Sequence, residues 1–351
     1  MSTRYQVLRS HIVQSLLAAG GGARTSTLNE LGADQRDLAR MHQDGTLRRV
    51  ARGYYTLTAS QPEPQRGRLR SEHLRQLAAV AGGDSVGSLR SGALAWGLPV
   101  IAIPPRPEII RPPGSHEVIN TRTLRRRLPG PHVRTLHGVP VTSLARTAIE
   151  VALDLPVPDA VITVDAALRR GVSRTELHQV LAGLGPVRGS RRARTTIDWA
   201  DPHAESPLES RGRGELMLRG VPRPMCNVSF RLDRTEFRAD MWWPGIPLVG
   251  EADGAEKYDA AVDALSLWAE KLRQEWFESE VGLLMLRFID RELRSAPESL
   301  VARFRRLSGR ASATQWDPPS ALEIFQRPSP GSGGSTLWLK RRGEVHRQNS
   351  E

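Results

Sequence analysis

The sequence predicts a multidomain protein of mixed α/β and α+β class, and three observations carry that expectation. Over residues 5–57, helical stripes run into a basic two-stranded hairpin. Over residues 206–307, the pattern reads helix, three strands, helix, strand, helix, an order that builds an α/β layer. Between them lies a Pro-rich mixed region, set off by polar, arginine-bearing connectors at 60–70 and 186–204. A chain of 351 residues is long enough for two or three such domains.

Charge narrows the functional classes. Lys and Arg number 50 against 38 Asp and Glu, a net charge of +12 and a pI near 10.9. That balance suits nucleic acid as a partner, with a merely solvated basic surface as the alternative. The one cysteine, Cys226, excludes an intramolecular disulfide and a cysteine-based zinc cluster. Polar residues interrupt the N-terminal apolar stripe, and no later run approaches about 20 apolar residues. A soluble cytoplasmic protein is the default expectation.

The elements follow in order. Val7, Leu8, Ile12, Leu16 and Leu17 fall near helical spacing, and Gly20-Gly21-Gly22 ends that helix. ARTSTLNELG predicts a short helix capped by Thr25 or Ser26, and ADQRDLARMHQDG another, with Asp34 as cap and Leu38 and Met41 inward. In GTLRRVARGYYTL, Leu47, Val50, Tyr55 and Leu57 alternate with Arg48, Arg49 and Arg52. Three helices and a basic hairpin describe a winged helix-turn-helix over residues 1–59. In that fold the third helix enters the major groove and the wing touches phosphates. Gln35, Arg36, Arg40 and Gln43 become the candidate groove-facing residues, and Arg48, Arg49 and Arg52 the candidate backbone contacts.

The run DLARMHQDGTLRRVARGYYTL resembles the N-terminal domain of AbiEi-family antitoxin-type transcriptional regulators. The resemblance rests on Asp44, Gly45, Leu47, Arg49, Val50, Arg52, Gly53 and Tyr55. It implies DNA binding, autoregulation and a cognate toxin encoded nearby. A middle domain over residues 71–185 resembles the second half of such chains, at Ser91 to Pro99 and Gly138 to Asp154, with Glu150 standing where an aspartate is usual. The middle region shows no catalytic constellation. Its histidines His116, His132 and His137 are scattered, and Arg122, Arg125, Arg126 and Arg127 either bind phosphates or are solvated. A helix pair broken at Gly171, with Ser173 capping the second member, leads to a basic linker at 186–204 bearing Arg188, Arg191, Arg192 and Arg194.

The chemistry concentrates between Phe237 and Tyr258, FRADMWWPGIPLVGEADGAEKY. In extended chain, side chains two apart share a face, so Glu251 and Asp253 point the same way. Asp240 lies on the preceding strand, Glu209 on the helix before it, and Lys257 just beyond. Trp242 and Trp243 read as core and rim. Carboxylates so grouped can hold one or two Mg²⁺ or Mn²⁺ ions beside a phosphodiester. Asp240 and Glu251 are the first candidate ligands. Asp253 is either a third ligand or a partner for the attacking water, Glu209 a further carboxylate, and Lys257 a cation for the phosphate.

SPLESRGR with Glu209 and Arg211, RAD with Asp240, GEADGAEKY, EKLRQ with Glu270, Lys271 and Arg273, and a last strand with Arg287 resemble the PD-(D/E)XK nuclease superfamily. Among its members, the domains related to very-short-patch-repair endonucleases match best. The resemblance covers residues 205–293 and implies a restriction-endonuclease-like domain over 205–309, ahead of a disordered tail at 310–351. Asp253 departs from it, because a lysine is usual two residues after the glutamate. Either Lys257 or Lys271 then stands in, or activity is weak or absent. The expectation is therefore a DNA-binding protein with a metal-dependent DNA endonuclease domain. The alternative is a non-catalytic AbiEi-type antitoxin or repressor with a degenerate nuclease fold.

Overall fold

The computed structural model describes residues 3–18, 22–51, 53–58, 65–254, 264–313, 316–329 and 337–339. Among the described residues it is a mixed α/β chain with three sheets, divided into two compact units at residues 151/152. No helix among the described residues is long and apolar enough to cross a membrane.

The first unit opens with α1 (Thr3–Ala18), β1 (Gly22–Arg24), α2 (Thr25–Glu30), α3 (Gln35–Gln43), β2 (Leu47–Ala51) and β3 (Tyr54–Leu57). The strands form a sheet of order β1-β3-β2, antiparallel throughout. Tyr5, Ile12, Leu16, Leu28, Leu38, Met41 and Leu47 make its core. Two expectations change here. Val7 points outward at 67 % exposure while Tyr5 takes the buried position, because the spacing 5, 8, 12, 16 fits the helical period better than one through residue 7. The residue before α2 is Arg24, which makes no side-chain cap. Asp34 caps α3 as its sequence position suggested, in a reciprocal box with Asp37.

The chain then forms α4 (Gln65–Val80), β4 (Val86–Gly87), α5 (Leu89–Ala95), β5 (Glu108–Arg111), β6 (Arg122–Arg125), β7 (Val133–Leu136), β8 (Val139–Thr142) and α6 (Leu144–Asp154). The sheet order is β6-β5-β4-β8-β7. The polar stretch at 60–70 is thus helical from Gln65 onward, since its Arg, Gln and Leu are good helix formers. The arginines expected either to bind phosphates or to be solvated are partly committed elsewhere. Arg122 pairs with the buried Glu108 at 3.1 Å, and Arg126 with the buried Glu150 at 2.7 Å. Arg146 also reaches Glu150, at 2.6 Å.

The second unit adds α7 (Val157–Arg169), α8 (Arg174–Gly183), α9 (Ser190–Trp199) and α10 (Pro207–Leu218). Strands β9 (Met225–Leu232), β10 (Thr235–Trp243) and β11 (Leu248–Asp253) follow. Then come α11 (Ala264–Glu275), a π-helical turn (Trp276–Val281) and β12 (Leu284–Ile289). The unit closes with α12 (Asp290–Ser295), α13 (Pro297–Ala313), β13 (Glu323–Gln326) and β14 (Leu337–Leu339). Pro297 separates α12 from α13, which read from sequence as one helix. The segment expected to be a basic linker at 186–204 contains α9, whose Ala193, Thr196 and Ile197 are buried. The tail expected to be disordered supplies β13, paired with β9, because Leu322 and Phe325 bury apolar side chains amid a polar composition.

The sheet order is β12-β11-β10-β9-β13-β14, antiparallel except for the parallel β11–β12 pair. Met241, Trp243, Leu248, Leu286 and Phe288 fill one face with residues of α10, α12 and α13. Trp242, Val249, Met285 and Phe277 fill the other. Both tryptophans are therefore core, on opposite faces as adjacent strand residues must be. Beneath the sheet, Arg213 of α10 and Asp165 of α7 form a fully buried ion pair at 2.6 Å. Burial pushes the Asp165 carboxyl up, against the pull of Arg213.

Candidate functional site

A row of polar residues crosses four strands of the second unit's sheet. The pairs Ala239–Val228 and Met241–Cys226 set Asp240 beside Asn227, and Met241–Gly250 sets it beside Glu251. Glu251 in turn is the register partner of Arg287. Asn227, Asp240, Glu251 and Arg287 thus come from β9, β10, β11 and β12 in sequence. Asn227 adopts a left-handed backbone, φ +51, a conformation asparagine tolerates better than most residues.

Glu209 reaches the row from α10. Ser206 caps that helix by accepting from the Glu209 amide at 3.1 Å, and Pro207 occupies its first turn. The Glu209 carboxylate then turns to the sheet. Its Oε2 accepts from the Asn227 side-chain amide at 2.7 Å and from the Glu205 amide at 2.9 Å. The backbone N–H of Ala252 donates to Asp240 Oδ2 at 2.8 Å, which locks β11 against the half-buried carboxyl. Burial, then the Glu251 and Glu209 charges, push the Asp240 carboxyl up to about 8. Like charges gathered in a low-dielectric site favour the protonated form.

Cations answer from the second layer. Arg273 of α11 donates to Glu251 Oε2 at 3.0 Å. Arg287 grips Asp253 with two bonds, 2.8 and 2.9 Å, and also reaches Glu270 of α11 at 2.8 Å. The Asp253 carboxylate, foremost among its partners, holds the Arg287 guanidinium even more firmly protonated than usual.

The expected site residues therefore divide. Glu209, Asp240 and Glu251 come together, while Asp253 faces Arg287 instead. Lys257 lies outside the described residues. Lys271 is exposed, 3.8 Å from Glu275, with its ammonium over the Trp268 ring. Asn227 was the residue sequence reasoning missed; its only signal is a polar side chain inside the apolar run MCNVSF.

An all-oxygen set of carboxylates has the right chemistry for Mg²⁺ or Mn²⁺. The arrangement does not fit one, however. Glu251 is engaged by Arg273 and Asp253 by Arg287, and among the described residues no group of three Asp, Glu, His or Cys side chains is placed to hold an ion.

On the first unit, Gln35, Arg36, Arg40 and Gln43 are all exposed along α3, whose other face buries Leu38 and Met41. Arg40 lies 4.1 Å over the Tyr5 ring. Arg48 and Arg49 are exposed on β2, the former paired with Glu72 at 2.8 Å. Arg52 lies outside the described residues.

Residues 102–199 match the AbiEi antitoxin C-terminal domain. The match runs from the approach to β5 through α9 and includes the buried Glu108 and Glu150. Two uncharacterized proteins of Mycobacterium tuberculosis, MT2308 of strain CDC 1551 / Oshkosh and Rv2248 of strain H37Rv, are each 32% identical over 187 residues. The alignment takes in 52% of this chain and 66% of each relative, so the chain spans just under two thirds of their length. The crystal structure of the RV2827C protein from Mycobacterium tuberculosis superposes with a TM-score of 0.31 and 16% identity, covering 63% of this chain and 84% of that one. That likeness is too slight to define a shared fold.

Proposed function

We propose that this chain is a DNA-binding transcriptional regulator of the antitoxin type, reading DNA through α3 and acting with a cognate toxin. One observation carries the reading: α3 packs by Leu38 and Met41 and presents Gln35, Arg36, Arg40 and Gln43 together to solvent. Its surroundings support a winged helix-turn-helix, with a helix, strand, helix, helix, strand, strand order and a β1-β3-β2 sheet. Arg and Gln are residue types that donate to base edges, and the exposed Arg48 and Arg49 on the hairpin suit phosphates. The antitoxin-domain match supports a toxin as partner. In electrophoretic and anisotropy titrations, the chain is expected to prefer the region upstream of its own gene over unrelated duplex. Arg36→Ala with Arg40→Ala should remove that preference, whereas Arg48→Ala with Arg49→Ala should weaken binding to all sequences and lower the salt dependence of log K by about 2, since each phosphate no longer neutralised takes away about 0.9. Equal affinity for any sequence would sink the reading.

A second reading, a DNA endonuclease on a PD-(D/E)XK-like domain, is favoured by one observation, the convergence of Glu209, Asp240 and Glu251. A raised carboxyl among like charges is a feature that functional centres share with structural ion-pair networks, so the reading rests on the convergence itself. Incubation of purified protein and duplex DNA with Mg²⁺ or Mn²⁺ decides it. Cutting that is lost in both Asp240→Ala and Glu251→Ala supports an endonuclease, and intact DNA rejects it.

A further inference from the structure

We infer that the guanidinium of Arg273 fills the cation position of the Glu209–Asp240–Glu251 row, so that α11 supplies the charge this row would otherwise draw from solution. The inference goes beyond DNA binding and does not depend on it. Asp240 and Glu251 lie opposite one another on adjacent antiparallel strands, where like charges repel across about 5 Å. Glu209 adds a third carboxylate, hydrogen-bonded to Asn227 of the neighbouring strand. A proton on Asp240 relieves part of that repulsion, and a positive group beside Glu251 relieves the rest. Arg287 is turned to Asp253 and Glu270, whereas Arg273 donates to Glu251 at 3.0 Å.

The placement of Arg273 is built in. Residues 270 and 273 are three apart on α11 and share a face. Glu270 is held by β12 through Arg287, and Arg273 by β11 through Glu251. Two ion pairs of opposite polarity thus clamp one helix face to two neighbouring strands. In the same row, the Asn227 side chain is 6% exposed and its buried Oδ1 accepts no hydrogen bond. That oxygen is an open acceptor within the row.

The test uses the full chain, Mn²⁺ as probe, and free Mn²⁺ measured by electron paramagnetic resonance, with thermal melting in chelator and in Mn²⁺. Wild type and Arg273→Lys should leave free Mn²⁺ nearly unchanged. Arg273→Ala should bind Mn²⁺ at least tenfold more tightly, melt lower in chelator and recover in Mn²⁺, and adding Asp240→Asn should abolish the gain. If Arg273→Ala does not fold, Arg273→Gln, neutral but of similar length, is read in its place. Wild-type Mn²⁺ binding that Asp240→Asn removes would overturn the inference, as would a neutral variant binding no more tightly than wild type. No readout involves DNA, so either result leaves the DNA-binding reading to its own assay.

Discussion

Replacing Asp240 with asparagine should stabilise the second unit, increasingly so as pH rises. The Asp240 carboxyl moves from 3.8 to about 8 on folding, chiefly through burial and the neighbouring Glu251 and Glu209. Between those values the folded state binds a proton that the unfolded state does not. Unfolding therefore releases that proton, and stability falls with pH across this window. The favourable contribution is complete below about 4 and lost by about 8. At ~1.4 kcal/mol per decade of proton affinity, the full span amounts to several kcal/mol. Solvent reaching the half-buried side chain offsets part of it, leaving a gain of about 2–4 kcal/mol at pH 8. Asparagine keeps the acceptor for the Ala252 amide and carries no charge to repel Glu251. Urea unfolding of wild type and Asp240→Asn at pH 5, 7 and 8.5 measures the difference. A gap independent of pH, or a variant less stable at pH 8.5, would refute the reasoning.

Other substitutions probe the packing beneath the row. Arg213→Met should cost about 3–5 kcal/mol, since it strands the buried Asp165 carboxylate without its guanidinium. The loss should be larger at pH 8 than at pH 5, because a more strongly raised Asp165 loses its stabilising proton as pH rises; denaturant midpoints at the two pH values check this. Gly212→Ala should destabilise by about 1–3 kcal/mol, because an added Cβ meets the buried Phe288 ring. A melting temperature equal to wild type would show that the ring moves aside without cost.

Local signals were readable in the chain. Asp34 before a periodic run marks a cap, and Leu38 with Met41 marks the face beneath it. Pro207 suits the first turn of a helix, whereas the return of the Glu209 carboxylate toward the sheet is seen only in the fold. The alternation around Asp240 and Glu251 set both on strands. What the chain could not disclose was who neutralises them. Arg273 lies 22 residues from Glu251 and Arg287 lies 34 from Asp253, and no periodicity links such partners. Composition also misled where it outweighed a few apolar residues. Ala193 and Ile197 in an arginine-rich stretch, and Phe325 in a Ser/Pro-rich one, anchor elements that averaged polarity concealed.

The buried Asp165–Arg213 pair has a consequence for modularity. The stretch that matches an antitoxin domain ends at residue 199, yet Asp165 within it is neutralised by a guanidinium from residue 213. The helix that carries Asp165, α7, buries nearly its whole surface, part of it against Gly214 through Pro158 and Val161. A fragment cut at the edge of the match would expose that surface and leave an acid with no counter-charge. The stretch that matches is therefore shorter at this end than the stretch whose buried charges are paired. At this end the paired charges and the packed helix faces run past the match into α10.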